Sequence, residues 1–347
     1  MKMPRLSIAT FNLYNLNWPG AAMYTNKKGW SQEEYDRKIA WTVSQLQVLQ
    51  ADVCGFQELW HPDALANVLT ASGLESEYDM VVPDDADGSK IVCAALVRKG
   101  LLTGPAEWVG EFPDAFILRS QGDDPQTHEI DVNISGFSRP VLSFAIRPRK
   151  GHPAVKVYVC HLKSKMPTRI DQEDWYKKDK AVYGKHREGI GAALSTIRRT
   201  AEAAALRILL NDVMKDTDTP VIVLGDINDG QQSNTANILT DQPRFLVGDS
   251  KGGGDTALYT AQTLQEYRDT RDVYYTHIHQ DLRESLDHIL VSQEFYDNSH
   301  KRLWMFDGLV INNDHLNFDD HKVLGTNYHG VVLASFKYSP AKQRKTR

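Results

Sequence analysis

The sequence predicts a single α/β domain, on three observations. Apolar runs of strand length occur along the whole chain, periodic helical segments lie between them, and no linker divides the chain into two self-contained halves. A chain of 347 residues is long enough to bury a substantial core. We expect one domain over residues 1–340, followed by a basic, disordered tail at 341–347.

Eight apolar runs are the clearest predicted strands. They are rich in Val, Ile, Leu and Phe and have turn residues at their ends, which is the pattern of buried strands. The runs lie at 5–12, 52–57, 91–98, 140–147, 155–162, 220–225, 285–292 and 330–338.

Two segments with apolar residues at intervals of three or four predict helices, and a third, weaker helix follows Pro62. The first, at 31–49, has Ser31 as its N-cap and an apolar stripe of Tyr35, Ile39, Val43, Leu46 and Leu49. The second, at 191–215, has a stripe of Leu194, Ile197, Ala201, Ala204, Ile208 and Val213. We expect this stripe to pack on the core, with the arginines elsewhere on the helix.

The composition is that of a soluble protein, with 41% hydrophobic and 24% charged residues. No apolar stretch approaches the roughly 20 residues that span a membrane, and the first residues lack a signal-peptide pattern. We therefore expect a cytoplasmic protein without stable membrane association. The three cysteines lie in apolar runs without C-x-x-C spacing, which predicts buried thiols and not a metal site.

Polar side chains stand at the ends of several apolar runs, where binding and catalytic residues are usually held. They are Asn12, Glu58, His161, Asp226 with Asn228, Asp287 and His329. Each one alone has a structural explanation, as a turn former, a helix cap, an exposed charge or a satisfied histidine. Their occurrence together at strand ends favours a functional site.

These residue types suit the hydrolysis of a phosphate ester. Carboxylate oxygens are the ligands that Mg²⁺ or Mn²⁺ prefers, and such a metal polarises the phosphoryl oxygen. A carboxylate or imidazole can orient or deprotonate the attacking water. Asparagine and histidine can donate hydrogen bonds to the phosphate oxygens.

Five segments, in this order, resemble the motifs of the endonuclease/exonuclease/phosphatase superfamily, which includes DNase I. They are Ala9-Thr10-Phe11-Asn12, Gly55-Phe56-Gln57-Glu58, His161-Leu162-Lys163-Ser164, Gly225-Asp226-Ile227-Asn228 and Leu286-Asp287-His288-Ile289-Leu290. Any one is weak, but all five in order are specific. The resemblance implies a four-layer α/β/β/α sandwich of two mixed sheets flanked by helices, and a cofactor of Mg²⁺ or Mn²⁺.

The resemblance also implies roles for individual residues. Glu58 would ligate the metal, with Asn12 beside it. The residues it assigns to catalysis are His161, Asp226, Asn228, Asp287 and His329. The residues expected to bind the substrate phosphate are Arg139, Lys163 and Asn228. In this scheme Asp287 orients the last histidine and stabilises its charged form.

The segment before the final strand departs from the family pattern, because Tyr328 stands where an aspartate is expected before the histidine. The enzyme could work with Glu58 as its main ligand, Tyr328 could make it inactive or specialised, or the pair could be Asp320–His321. We favour His329, because the final apolar run begins directly after it. The ligand-type residues Asp314, His315, Asp319, Asp320 and His321 are interpreted as a solvated acidic loop in preference to a second metal site.

A basic insertion at about 163–190 bears on the substrate. Residues 163–199 contain ten Lys or Arg and five Asp or Glu, with Trp175, Tyr176 and Tyr183 among them. This favours a phosphodiesterase or nuclease acting on nucleic acid or a nucleotide. The alternatives are a phosphatase on a small sugar, inositol or nucleotide phosphate, and a catalytically impaired binding module. The oligomeric state is left open.

The missing carboxylate generates a prediction. Tyr328→Asp should raise the hydrolytic activity or tighten Mg²⁺ binding, because it restores an oxygen ligand beside the metal. Steady-state kinetics and Mg²⁺ titration measure the two quantities. If both stayed unchanged or became worse, this segment would be wrongly aligned with the family, or Tyr328 would have a role of its own.

Overall fold

The apolar runs form two six-stranded sheets that pack face to face. The structure is a computed structural model, and it describes residues 4–24, 28–122, 125–241, 253–271 and 274–342. Most of the basic tail predicted at 341–347 therefore lies outside the described residues.

Each of the eight predicted runs contains a strand, and further strands lie between them. In chain order the strands are β1 (Arg5–Leu16), β2 (Val53–Leu59), β3 (Tyr78–Val81), β4 (Val92–Arg98), β5 (Glu107–Glu111), β6 (Arg119–Ser120), β7 (Ile130–Asp131), β8 (Gly136–Ile146), β9 (Val155–His161), β10 (Val221–Asp226), β11 (Tyr259–Thr260), β12 (His277–His279), β13 (Leu282–Glu284), β14 (Asp287–Val291), β15 (Trp304–Asn312) and β16 (Val331–Tyr338).

All three predicted helices are present, together with shorter ones. The helices are α1 (Gln32–Leu49), α2 (Pro62–Ser72), α3 (Asp174–Lys178), α4 (Lys180–Tyr183), α5 (Arg187–Met214), α6 (Asn234–Thr240), α7 (Ala261–Glu266) and α8 (His321–Leu324). Within the described ranges, none of these helices has the length and apolar character needed to cross a membrane.

The two sheets have matching topologies. The strand order is β15-β16-β1-β2-β4-β3 in the first sheet and β11-β14-β10-β9-β8-β5 in the second. In each sheet one parallel pair, β1–β2 or β9–β10, is flanked by antiparallel strands. Helices α1 and α2 cover the outer face of the first sheet, and α5 and α6 cover the second. The predicted four-layer sandwich of mixed sheets is confirmed.

The core between the sheets is close-packed beside the polar edge described below. It contains Val53 and Cys93 from the first sheet, with Val159 and Leu224 from the second. A Cβ atom at Gly55 would lie 2.0 Å from Leu224 Cδ1, which is far inside van der Waals contact. Glycine at this position therefore lets the two sheets approach each other three residues before Glu58.

The buried face of α5 differs from the predicted one. Leu194 and Ile197 are exposed, whereas Arg199 and Arg207 are buried. The arginines can be buried because their guanidinium groups are paired: Arg199 donates to the backbone oxygen of Lys163, and Arg207 also donates to a backbone oxygen. Tertiary pairing of this kind leaves no trace in the spacing of apolar residues.

The buried face of helix α1 is also rotated from the predicted one, but by less than that of α5. Ser31 caps the helix as predicted, since its side chain accepts a backbone hydrogen bond in the first turn. The centre of the buried face, however, is formed by Lys38 and Thr42, and the predicted Ile39 and Val43 are only partly buried. A charged side chain thus occupies a core position.

Two further features depart from the expected pattern. The strand β15 was not among the predicted runs, because Asp307 and Gly308 interrupt its apolar residues at a bulge in the pairing with β16. The basic insertion at about 163–190, for which no helix was predicted before residue 191, contains α3 and α4. Buried Ile170 and Tyr176 anchor it to the domain.

The three cysteines behave as expected. Cys54, Cys93 and Cys160 are all free and buried in the sheets. Burial raises the pKa of each thiol, which makes them inert small core residues.

Candidate active site

Three neighbouring strands of each sheet bring a polar residue to the same edge of the sandwich. The first sheet contributes Asn12 from β1, Glu58 from β2 and His329 directly before β16. The second sheet contributes Asp226 from β10, His161 from β9 and Asp287 from β14. In each sheet, two of the three strands are parallel and the third is antiparallel to them. The C-terminal parts of the two parallel strands therefore lie beside the N-terminal end of the third strand.

The carboxylate of Asp226 lies at the centre of this edge and is 1% exposed. Its Oδ2 atom accepts a hydrogen bond from Asn12 Nδ2 at 3.2 Å, which joins the two sheets. The Nε2 atoms of His161 and His329 lie 3.6 Å and 3.9 Å from the same oxygen. Its other oxygen accepts from the backbone N–H of Asn228 at 2.8 Å.

Asp287 and His329 form a hydrogen-bonded pair. The distance from His329 Nδ1 to Asp287 Oδ2 is 2.9 Å. Asp287 is completely buried, and its second oxygen, Oδ1, has no hydrogen-bond partner among the described residues. The pair fixes the orientation of the imidazole, so that Nε2 of His329 faces Asp226.

The pKa values of the two site histidines, His329 and His161, are shifted in opposite directions. Burial alone would lower the pKa of His329, but the carboxylates of Asp287 and Asp226 outweigh it and raise this pKa to about 10. For His161, burial and the positive charges of Arg139 and His329 hold the pKa well below its ordinary value. Burial raises the pKa of Asp226 to about 7. At neutral pH the site therefore contains one imidazolium, one neutral imidazole and a carboxyl group near its titration point.

The predicted metal ligands, Glu58 and Asn12, lie on the first-sheet side of the edge. Glu58 has a positive φ of 60°, an uncommon conformation for a non-glycine residue that concentrates at functional sites. Its Oε2 accepts from the backbone N–H of Asn15 at 3.0 Å, while no described residue donates to Oε1. This free carboxylate oxygen suits a hard divalent cation such as Mg²⁺ or Mn²⁺.

A second group of side chains that could hold a metal ion lies on the second-sheet side of the edge. Atoms of Asp226, Asp287 and His329 lie within 4.8 Å of one another, and this is the sole group of three or more such residues in the part of the chain that is described. Neither Glu58 nor Asn12 belongs to it. The carboxylates of Asp287 and Asp226 raise the pKa of His329, and a protonated imidazole has no free lone pair to offer a metal, which favours Glu58.

The predicted phosphate-binding residues surround the end of β9. Asn228 Nδ2 and Arg139 Nη1 both donate to the backbone oxygen of Leu162, at 3.0 Å and 3.3 Å. The side chain of Lys163 is half-buried, and burial followed by the charge of Arg139 lowers its pKa. These three side chains are therefore brought together beside His161.

A buried glutamate from α5, which the sequence did not single out, holds this group. Glu202 is completely buried and accepts hydrogen bonds from the backbone N–H groups of Ser138 and Lys163, at 2.8 Å and 2.7 Å. Ser138 Oγ also donates to it, at 2.5 Å. Glu202 thereby fixes the backbone on which Arg139 and Lys163 are mounted.

Tyr328, at the position of the expected aspartate, is packed into an aromatic cluster. Its ring makes edge contacts with Tyr14 and His321, at centroid distances of 4.5 Å and 4.4 Å. Behind Tyr14 lies the ammonium of Lys38, 5.4 Å from the Tyr14 ring and hydrogen-bonded to the backbone oxygen of Thr326 at 3.1 Å. Burial lowers the pKa of Lys38 to about 7. Tyr328 itself is 39% exposed, so its ring lies at the surface end of this cluster.

The alternative pair, Asp320 and His321, does not join the site. Asp320 is exposed and caps α8, and His321 Nδ1 bonds to Thr326 Oγ1 at 2.9 Å. The acidic residues around them are exposed, while His315 bonds to the backbone oxygen of His329. His315 therefore supports the backbone of His329, while the ring of His321 contacts Tyr328.

The structure adds Thr276 and His277 to the site. Thr276 is completely buried, and its hydroxyl oxygen accepts from the backbone N–H groups of Leu286 and Asp287. The ring of His277 lies 5.3 Å from that of His329. In the sequence, these two residues lie in a short polar stretch before the apolar run at 285–292. That stretch has no apolar periodicity, so the sequence did not indicate a structural element there.

Comparison with known proteins identifies a matching family and a shared fold. The model of the endonuclease/exonuclease/phosphatase family matches residues 9–311. A search of curated proteins found no match.

Several solved structures share the fold over nearly the whole chain. The human Nocturnin catalytic domain with bound sulfate anion has a TM-score of 0.54 and 13% identity, with 97% of this chain and 96% of that chain covered. TDP2 of D. rerio, humanized by 14 mutations, has a TM-score of 0.55 and 15% identity, covering 96% and 99%. A Bacteroides thetaiotaomicron mannosyl-6-phosphatase has a TM-score of 0.55 and 14% identity, covering 96% and 100%. At these identities the similarity establishes the fold.

The charge state of His329 is testable by NMR. In the metal-free protein, His329 should remain protonated well above pH 8, because Asp287 and Asp226 raise its pKa. Asp287→Asn should lower the titration midpoint by about 1–3 pH units, the scale expected for losing a close opposite charge. The exposed Asp281→Asn on the turn between β12 and β13 is the control and should leave it unchanged. A wild-type midpoint near 6.5 would contradict the assigned pairing.

Proposed function

Because the chain belongs to the endonuclease/exonuclease/phosphatase family, we propose that it is a phosphodiesterase that uses Mg²⁺ or Mn²⁺ to hydrolyse phosphate esters of nucleic acid or nucleotides. The observation that carries this proposal is the convergence on the buried Asp226 of side chains from both sheets, with the Asp287–His329 pair beside it. Such an arrangement combines a base, a cation and hydrogen-bond donors in one place, as phosphoryl transfer requires.

The residues of the site have distinct roles in this proposal. A divalent metal held by Glu58 and Asn12 would polarise the phosphoryl group. Asp226, whose pKa of about 7 is close to neutral pH, accepts a proton from the attacking water. The imidazolium of His329 stabilises the charge that develops on the phosphate oxygens, and Asp287 keeps that imidazole charged and oriented.

The phosphate is held from the second sheet. His161 and Asn228 flank Asp226 and can donate hydrogen bonds to phosphate oxygens. Arg139 and Lys163 supply positive charge at the end of β9, on a backbone that Glu202 fixes. We expect arginine to contact two oxygens of one phosphate, since its planar fork matches that geometry.

A nucleic-acid or nucleotide substrate is favoured by the segment that follows β9. Its lysines and arginines are mostly exposed, and the half-exposed ring of Trp175 stands edge-on to Tyr183 at 4.9 Å. Lys165 ties the segment to the site, because its Nζ lies 3.4 Å from Asp229 and 2.5 Å from Glu284. Exposed cations and aromatic rings beside the site suit a phosphate backbone with stacked bases.

A phosphatase acting on a small sugar phosphate is the second candidate. It is favoured by the shared fold with the mannosyl-6-phosphatase. One fold serves many substrates, so the choice between diester and monoester has to come from turnover.

Hydrolysis of bis(p-nitrophenyl) phosphate and of p-nitrophenyl phosphate, each with Mg²⁺, Mn²⁺ or EDTA, tests the proposal. We expect metal-dependent release from the diester, with a loss of about 100-fold or more in Glu58→Gln and His329→Ala, the scale of removing a group that acts in the transition state. Glu33→Gln, an exposed glutamate on α1, is the matched control and should retain full activity.

The outcomes separate the candidates. Release from the monoester alone would replace the diesterase by the phosphatase. Unchanged activity in both site variants would contradict the proposed site. If the protein hydrolysed neither these esters, nor a single-stranded oligonucleotide, nor mannose 6-phosphate, a binding module would be favoured.

A further inference from the structure

The hairpin β12–β13 holds a third imidazole beside the Asp287–His329 pair. His277 begins β12, and its ring centroid lies 5.3 Å from that of His329, with an angle of 42° between the ring planes. The ring is partly exposed and no hydrogen bond to its nitrogens is formed within the described residues. A polar ring with free nitrogens thus faces the site.

The backbone of this hairpin is fixed to both members of the pair. The oxygen of Thr276 accepts from the N–H of Gly330 at 2.7 Å, next to His329. The hydroxyl oxygen of Thr276 accepts from the N–H of Asp287 at 3.2 Å. Because Thr276 directly precedes His277, the ring of His277 is held in register with the pair.

The protonation state of His277 complements that of His329. Burial, followed by the charge of His329, lowers the pKa of His277 to about 4. His277 is therefore a neutral imidazole at pH 7, with one N–H donor and one acceptor nitrogen. An anion placed between the two rings would receive a hydrogen bond from the imidazolium of His329 and one from the neutral ring.

We propose that His277 is a substrate-binding residue whose ring N–H donates to an oxygen of the phosphate group that His329 contacts. Two rings at this separation can each reach a different oxygen of one phosphate, at the ordinary hydrogen-bond length of about 2.7–3.2 Å. The inference rests on the proposed function, since it takes the phosphate ester to lie against His329. It assigns to the β12–β13 hairpin an anion contact that the family motifs in the sequence do not include.

The test compares four variants in two assays. His277→Phe keeps the ring and removes the N–H, and His277→Gln keeps an N–H donor. His279→Phe, two residues along the same strand and exposed, is the matched control, and His329→Ala removes the neighbouring ring. Binding of inorganic phosphate in the presence of Mg²⁺ is measured by isothermal titration calorimetry, and kcat and KM are measured with the ester that the wild type hydrolyses.

We expect His277→Phe to weaken phosphate binding about tenfold and to raise KM more than it lowers kcat. His277→Gln should recover part of the affinity, and His279→Phe should match the wild type. Phosphate affinity and KM at the wild-type level in His277→Phe would overturn the inference, and so would a wild type that does not bind phosphate.

The two assays keep this inference distinct from the proposed function. Phosphate binding that depends on His277, without hydrolysis of any ester, would leave the binding role standing and remove the catalytic proposal. Hydrolysis that is lost in His329→Ala but unaffected in His277→Phe would support the catalytic proposal and remove the binding role of His277.

Discussion

The site depends on one buried carboxylate, Asp226, at the end of a central strand. A carboxylate taken out of water is strongly destabilising unless it is hydrogen-bonded or paired. Asp226 meets that requirement because Asn12 reaches it from the other sheet, the backbone N–H of Asn228 donates to it, and two histidines face one of its oxygens. The need to satisfy this group therefore ties the packing of the sheets to the geometry of the site.

The matching topologies of the two sheets explain why six strand ends meet. Each sheet places a parallel pair beside an antiparallel strand, and the three ends point to one edge. The close approach permitted by Gly55 brings those edges together. Carboxylates and imidazoles from opposite sheets then shift one another's pKa values, which separates His329 as a cation from His161 as a neutral ring.

Much of this site could be predicted from the sequence, because strand ends are marked by a polar residue after an apolar run. That signal located Asn12, Glu58 and Asp226 without any tertiary information. The same reading of apolar patterns failed where charged side chains are buried because they are hydrogen-bonded inside the fold. Arg199 on α5 and Lys38 on α1 occupy core positions that apolar periodicity assigns to neighbours. His277 was missed because its role comes from its distance to His329, which only the folded hairpin defines.

The position of Tyr328 sets the electrostatic character of the first-sheet side. With a phenol in place of a carboxylate, Glu58 is the one acidic ligand among the predicted metal-binding residues, and the buried ammonium of Lys38 lies behind Tyr14. A divalent cation would therefore gain less from this side than from a two-carboxylate site, and we expect the metal to rely on water and substrate oxygens for its remaining ligands.

The most direct test of this account is the position of the metal itself. A crystal soaked in Mn²⁺ locates it by anomalous scattering. The account predicts a peak at roughly 2.0–2.2 Å from a carboxylate oxygen of Glu58, the distance range of small hard divalent cations with oxygen ligands. A peak bound instead by Asp226, Asp287 and His329 would contradict it, because His329 would then be a neutral ligand and not the cation that stabilises the phosphate.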